Sequence, residues 1–104
     1  MNRPPMRIGS VAHKLLRAFA YKGGMPGFTI GELIVAAELH PGTAAHQRLT
    51  LDLEAKGWKI LRRVEKCVTY YWMAPKERER ATAFLRDLAA QKRAKEFKAL
   101  KETA

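Results

Sequence analysis

Apolar residues recur at helical spacing in four stretches of this chain, and between the third and fourth stretches the period changes to that of a strand. Val11, Leu15, Leu16 and Phe19 mark one face of a helix over 11–22. Ser10 stands at its N-cap, Gly23-Gly24 ends it, and Pro26-Gly27 extends the loop. Thr29-Ile30-Gly31-Glu32 then reads as a capping box. The Thr29 hydroxyl accepts from the backbone N–H of residue 32, and the Glu32 carboxylate reaches back to the N–H of Thr29. A second helix is predicted over 30–39, with Ile30, Leu33, Ile34 and Ala37 inward, broken by His40-Pro41-Gly42. Thr43 is the expected cap of a third helix over 44–56, with Ala45, Leu49 and Leu53 inward and Gly57 at its C-terminal end.

Residues 58–64 and 67–73 are rich in β-branched and aromatic side chains and predict two strands, with Glu65-Lys66 as the turn between them. Ala74-Pro75 closes the second strand. From Lys76 onward there is neither Gly nor Pro, and a helix is expected over 76–102. Ala81, Phe84, Leu85 and Leu88 form its apolar stripe, continued less densely by Phe97 and Leu100. The fold class predicted is mainly α with a small two-stranded β-hairpin and a long C-terminal helix. The organisation expected is a basic arm over 1–9, one domain over 8–75, and a dimerisation or packing helix over 76–104. That last helix is long for the core left to it. Its stripe packs on helix 1 or on a second copy, so a homodimer through Phe84, Leu85 and Leu88 is expected.

Charge narrows the class of partner. Among 104 residues, Lys and Arg number 20 against 10 acidic residues, a net charge of +10 that favours a polyanion through counterion release. Cys67 is the only cysteine, so no internal disulfide forms and a reducing cytoplasm fits. No run reaches the roughly 18 apolar residues of a membrane span. No apolar segment follows the charged N-terminus, so no signal peptide is expected.

Catalytic chemistry finds little to work with. His13, His40 and His46 do not stand at ligand spacing with Cys67 or carboxylates, so no metal is expected. The glycine-rich stretch from Gly23 to Gly27 lacks the Lys-Ser or Lys-Thr and the preceding strand of a phosphate loop. No Ser, His and acid set or Cys–His pair can be nominated, and Cys67 reads as a small apolar filler in a strand. The expectation is a protein that is not an enzyme and carries no cofactor.

Helix 2, a turn containing Pro and Gly, and helix 3 make a helix-turn-helix. Thr29-Ile30-Gly31-Glu32-Leu33, Gln47-Arg48-Leu49 and Leu53-Glu54-Ala55-Lys56-Gly57-Trp58 together resemble the winged helix-turn-helix superfamily, as in MarR-like and related bacterial and phage regulators. The resemblance covers roughly residues 8–75. It departs from the MarR pattern in lacking a long N-terminal dimerisation helix and in having a very short wing turn. It implies a double-stranded DNA-binding transcriptional regulator, with helix 43–56 in the major groove and wing 59–73 on the backbone.

A helix fits the major groove, where side chains read base edges, and the N-terminal part of helix 3 enters it in this geometry. The outward residues expected there are Thr43, Ala44, His46, Gln47 and Arg48, with Leu51 beside them. Arg48 suits guanine and Gln47 adenine. Lys59, Arg62, Arg63 and Lys66 are four cations within eight residues of the hairpin; phosphates or the minor groove are their expected partners, a role compatible with protecting a strand edge. Arg3 and Arg7 of the arm are further candidates for the DNA backbone or the minor groove. Tyr70-Tyr71-Trp72 admits base stacking, but packing under the hairpin is the expected role, as it is for Trp58. Two alternatives remain open at this point: a winged helix that meets an acidic protein surface, and a non-specific architectural or replication-associated DNA binder.

Overall fold

The computed structural model describes the backbone of residues 6–103 and side chains as far as Leu100; Arg3 lies outside the described residues. The architecture is mainly helical with one two-stranded antiparallel sheet. The helix α1 spans Val11–Lys22, and its Ser10 cap accepts from the N–H of His13. α2 spans Ile30–Ala36 and opens on the complete Thr29/Glu32 capping box. A third helical segment follows in three pieces: α3 at Ala45–Arg48, a π-turn at Leu49–Leu53 and a 3₁₀ turn at Glu54–Lys56. β1 is Leu61–Glu65, β2 is Val68–Trp72, and α4 runs over Pro75–Thr103.

One core holds these elements together. Leu15, Leu16 and Phe19 of α1, Leu33 of α2, and Leu49 and Leu53 of the π-turn are fully buried, and they meet Trp58, Met73, Ala81 and Leu85. Edge-to-face rings join Phe19 to Phe28 and Trp58 to Phe84, at centroid distances of 5.8 and 5.4 Å. Phe28 adds a short third rung to the sheet. It exchanges two backbone hydrogen bonds with Tyr71, both 2.7 Å, on the edge of β2 away from β1. Gly27 makes this approach possible: its φ is +96°, and a Cβ there would lie 2.8 Å from the Tyr71 carbonyl oxygen.

Several boundaries differ from the sequence reading. α2 stops at Ala36, before His40-Pro41-Gly42, because Glu38 takes the left-handed conformation with φ +57°. Its N–H donates to Val35 O and that of Leu39 to Ile34 O, the paired bonds of a Schellman end in which glycine is the usual occupant. Thr43 does not cap the third helix. Ala44 occupies that position without a side-chain bond. The third helix is also not a continuous α-helix. A four-residue step along an α-helix over-rotates, and the wider π-turn offsets that drift, so Ala45, Leu49 and Leu53 all remain in the core.

The hairpin turn is Lys66-Cys67, with φ of +50° and +66°, and not Glu65-Lys66. Cys67 is therefore an exposed turn residue, not an apolar filler in a strand. Either turn leaves Ile60, Tyr71 and Met73 on one face, so hydrophobic alternation could not separate them. Of the aromatic run, only Tyr71 is buried under the hairpin; Tyr70 and Trp72 are half-buried on its other face.

α4 begins at Pro75, a favoured first helical residue. Its first half belongs to the core. Leu85 is buried and Phe84 packs on Trp58, so these two residues are occupied within the chain. Glu77, only 7% exposed, accepts the backbone N–H of Lys59 at 2.7 Å and ties α4 to the entrance of the hairpin. Residues 89–100 are all exposed, Phe97 and Leu100 included. Among the described residues no helix is long and apolar enough to cross a membrane.

Candidate nucleic-acid interface

The third helical segment is anchored along one side and open along the other. Ala45, Leu49 and Leu53 are buried, whereas Ala44, His46, Gln47, Thr50 and Leu51 are exposed. Thr43 is half-buried at the start of this face. The Thr50 hydroxyl donates back to the His46 carbonyl, and the side chains of His46 and Gln47 have no hydrogen-bond partner among the described residues. Arg48 turns to the flank, where its guanidinium lies 3.8 Å from Asp52 one turn on. It bounds a cleft against the start of α1. The segment therefore offers two polar side chains to a partner directly and a third through a loose ion pair.

The hairpin cations divide by face. Cross-strand partners share a face, so Arg62 lies with Tyr71 towards the core and Arg63 with Tyr70 on the outer side. Arg62 stacks over the Tyr71 ring, 5.3 Å from its centroid, and makes a bidentate pair with Glu54 at the end of the third segment. That hydrogen bonding raises the Arg62 pKa and holds the Glu54 carboxyl below its ordinary value. Arg63 lies 4.3 Å over the Tyr70 ring, pairs with Glu65 and donates to Pro26 O at 3.2 Å. Both arginines are thus struts. Arg62 fixes the hairpin to the third segment, and Arg63 fixes it to the loop ahead of Phe28.

The side chains of Lys59 and Lys66 are exposed and have no ion-pair partner among the described residues. Lys66 stands at the hairpin tip, and Lys59 precedes β1. Arg7, the described cation of the arm, is exposed beside the same cleft as Arg48. The Arg62–Glu54 pair accordingly brings the hairpin and the third segment together, while Arg62 and Arg63 themselves are neutralised by carboxylates. Sequence reasoning found the cations and missed their partners, because Glu54 and Arg62 are eight residues apart across a turn with no periodic signal.

His13 is half-buried in α1, where Nδ1 accepts from Gly9 N–H at 3.4 Å. Burial, and then the nearby Arg17 charge, lower its pKa. His40 Nδ1 accepts from the N–H of Gly42 and shapes the turn before Thr43. Comparison of the chain with protein-family models, with curated proteins and with solved structures finds no match.

Proposed function

We propose that this chain is a winged helix-turn-helix protein that binds double-stranded DNA, acts as a cytoplasmic transcriptional regulator and performs no catalysis. The observation that carries the reading is the one-sided anchoring of the third helical segment. It buries Ala45, Leu49 and Leu53 and leaves Ala44, His46 and Gln47 facing outward on a chain of net charge +10. In the major groove, Gln47 would read adenine through its amide, with His46 beside it and Arg48 freed from Asp52 to reach guanine. Lys59 and Lys66 would hold phosphates at either end of the hairpin, which serves as the wing. The order of helix, single bridge, two helices and hairpin supports the same topology, with Phe28 as its short extra strand.

One observation favours non-specific binding as a second reading. Arg48, Arg62 and Arg63 already have carboxylate partners, which leaves few cations free to read bases. Selection of bound duplexes from a random pool separates the two. A specific regulator enriches one motif, and Gln47→Ala relaxes it at a cost of about 1–3 kcal/mol. Under non-specific binding no motif emerges, and Gln47→Ala matters no more than Lys66→Ala. Absence of any duplex binding at low salt would leave the acidic-protein alternative, for which the exposed Val35 and Leu51 supply apolar contact. A homodimer would draw on the half-buried Leu88 and the exposed Phe97, because Leu85 is buried and Phe84 packs on Trp58 inside the chain.

A further inference from the structure

A cleft of about 370 Å³ lies between the start of α1 and the flank of the third helical segment. Among the described residues three cations line it, Arg7, Arg48 and Lys56, against one carboxylate, Asp52. Arg7 comes from the arm and Arg48 and Lys56 from the third helical segment, so the fold brings the arm's charge to the segment's. Asp52 lies 3.8 Å from Arg48 and keeps that guanidinium at the rim. Ser10 forms part of the wall. Its oxygen already accepts from the His13 N–H, and its hydroxyl hydrogen remains to donate. Val11 and Ala12, the first two residues of α1, line the same wall, and their N–H groups have no acceptor among the described residues. Trp58 closes the apolar end.

We propose that this cleft is a binding site for a phosphate ester. Three cationic side chains supply charge, and a hydroxyl and two backbone N–H groups supply directed donors, which together match a tetrahedral oxyanion. The space lies at the small end of ligand pockets, about 300–1,000 Å³, which leaves room for an organic group on the phosphate. Two sources offer that chemistry: the backbone of a bound nucleic acid and a free nucleotide. Arg48 and Arg7 are shared with the candidate duplex contacts, whereas Lys56, Ser10 and the start of α1 are not, so mononucleotide binding at the cleft and duplex binding fail separately.

The test is amide NMR of the full chain, titrated with inorganic phosphate, adenosine monophosphate and a short duplex at constant ionic strength, with chloride as the reference. Saturable shifts at Ser10, Val11 and Ala12 are expected with phosphate and more tightly with the mononucleotide. Arg7→Ala and Lys56→Ala, both at exposed positions, should each weaken them about five- to tenfold, the loss of one charge-assisted hydrogen bond. If the duplex moves the same amides and either substitution abolishes the effect, the source is the nucleic-acid backbone. If the duplex leaves them still while the mononucleotide saturates them, the source is a free nucleotide. Shifts that never saturate, that chloride reproduces, or that survive both substitutions overturn the proposal.

Discussion

Replacing Glu38 by glycine should stabilise the protein although it removes an ion pair. Glu38 closes α2 at φ +57°, where a side chain with a Cβ costs about 1–2 kcal/mol. Both hydrogen bonds of this helix end are backbone bonds, so glycine retains them. Two losses oppose the relief. Glycine's greater freedom in the unfolded chain costs roughly 0.5–1 kcal/mol. The Arg17–Glu38 pair, at 3.5 Å with side chains 43% and 77% exposed, contributes only about 0.2–0.5 kcal/mol. The net expectation is a gain of about 0.5 kcal/mol, or roughly 2–4 °C in Tm for a domain of this size. Urea denaturation followed by circular dichroism measures it, with Glu38→Ala as the control that loses the pair and keeps the strained conformation. A Glu38→Gly protein no more stable than Glu38→Ala would refute the reasoning.

Other consequences follow from the same geometry. Glu77→Ala deprives the part-buried Lys59 N–H of its acceptor and should cost about 1–2 kcal/mol in urea denaturation, with Glu77→Gln recovering part of the loss. Installing Asn-Gly at Lys66-Cys67, where both residues have positive φ, should raise the Tm, and Cys67→Val should lower it. Stability should also fall with acidification in two steps. The lowered His13 pKa means the unfolded chain binds more protons as pH drops below 6.5, and the lowered Glu54 pKa has the same effect below 4.5. Arg62→Ala should remove the lower step, as read from denaturation midpoints across pH.

The parts of the fold that were legible in the sequence were those set by a local device. Ser10, the Thr29/Glu32 box and Gly57 each fix a helix end through a bond within a few residues, and the apolar spacing identified Leu15, Leu33, Leu49 and Leu85 as core. Where the chain adopts an uncommon conformation with an ordinary residue, the signal vanished. Glu38, Lys66 and Cys67 all occupy left-handed positions without being glycine or asparagine. The candidate interface was legible as a set of exposed residues on the third segment. Its electrostatics were not, because the pairings of Arg62 with Glu54 and of Arg63 with the Pro26 carbonyl exist only once the hairpin is folded onto the domain. The cleft at Arg7, Arg48 and Lys56 is likewise assembled from residues distant in sequence.

The central claim is duplex binding, and fluorescence anisotropy of a labelled duplex across a salt series tests it most directly. Lys59, Lys66 and one or two further cations would neutralise three or four phosphates, so log K should fall against log salt with a slope of about −3 to −4. Lys59→Ala with Lys66→Ala should flatten that slope by about two. No rise in anisotropy at low salt, or binding whose salt slope is unchanged by the double substitution, would contradict the account.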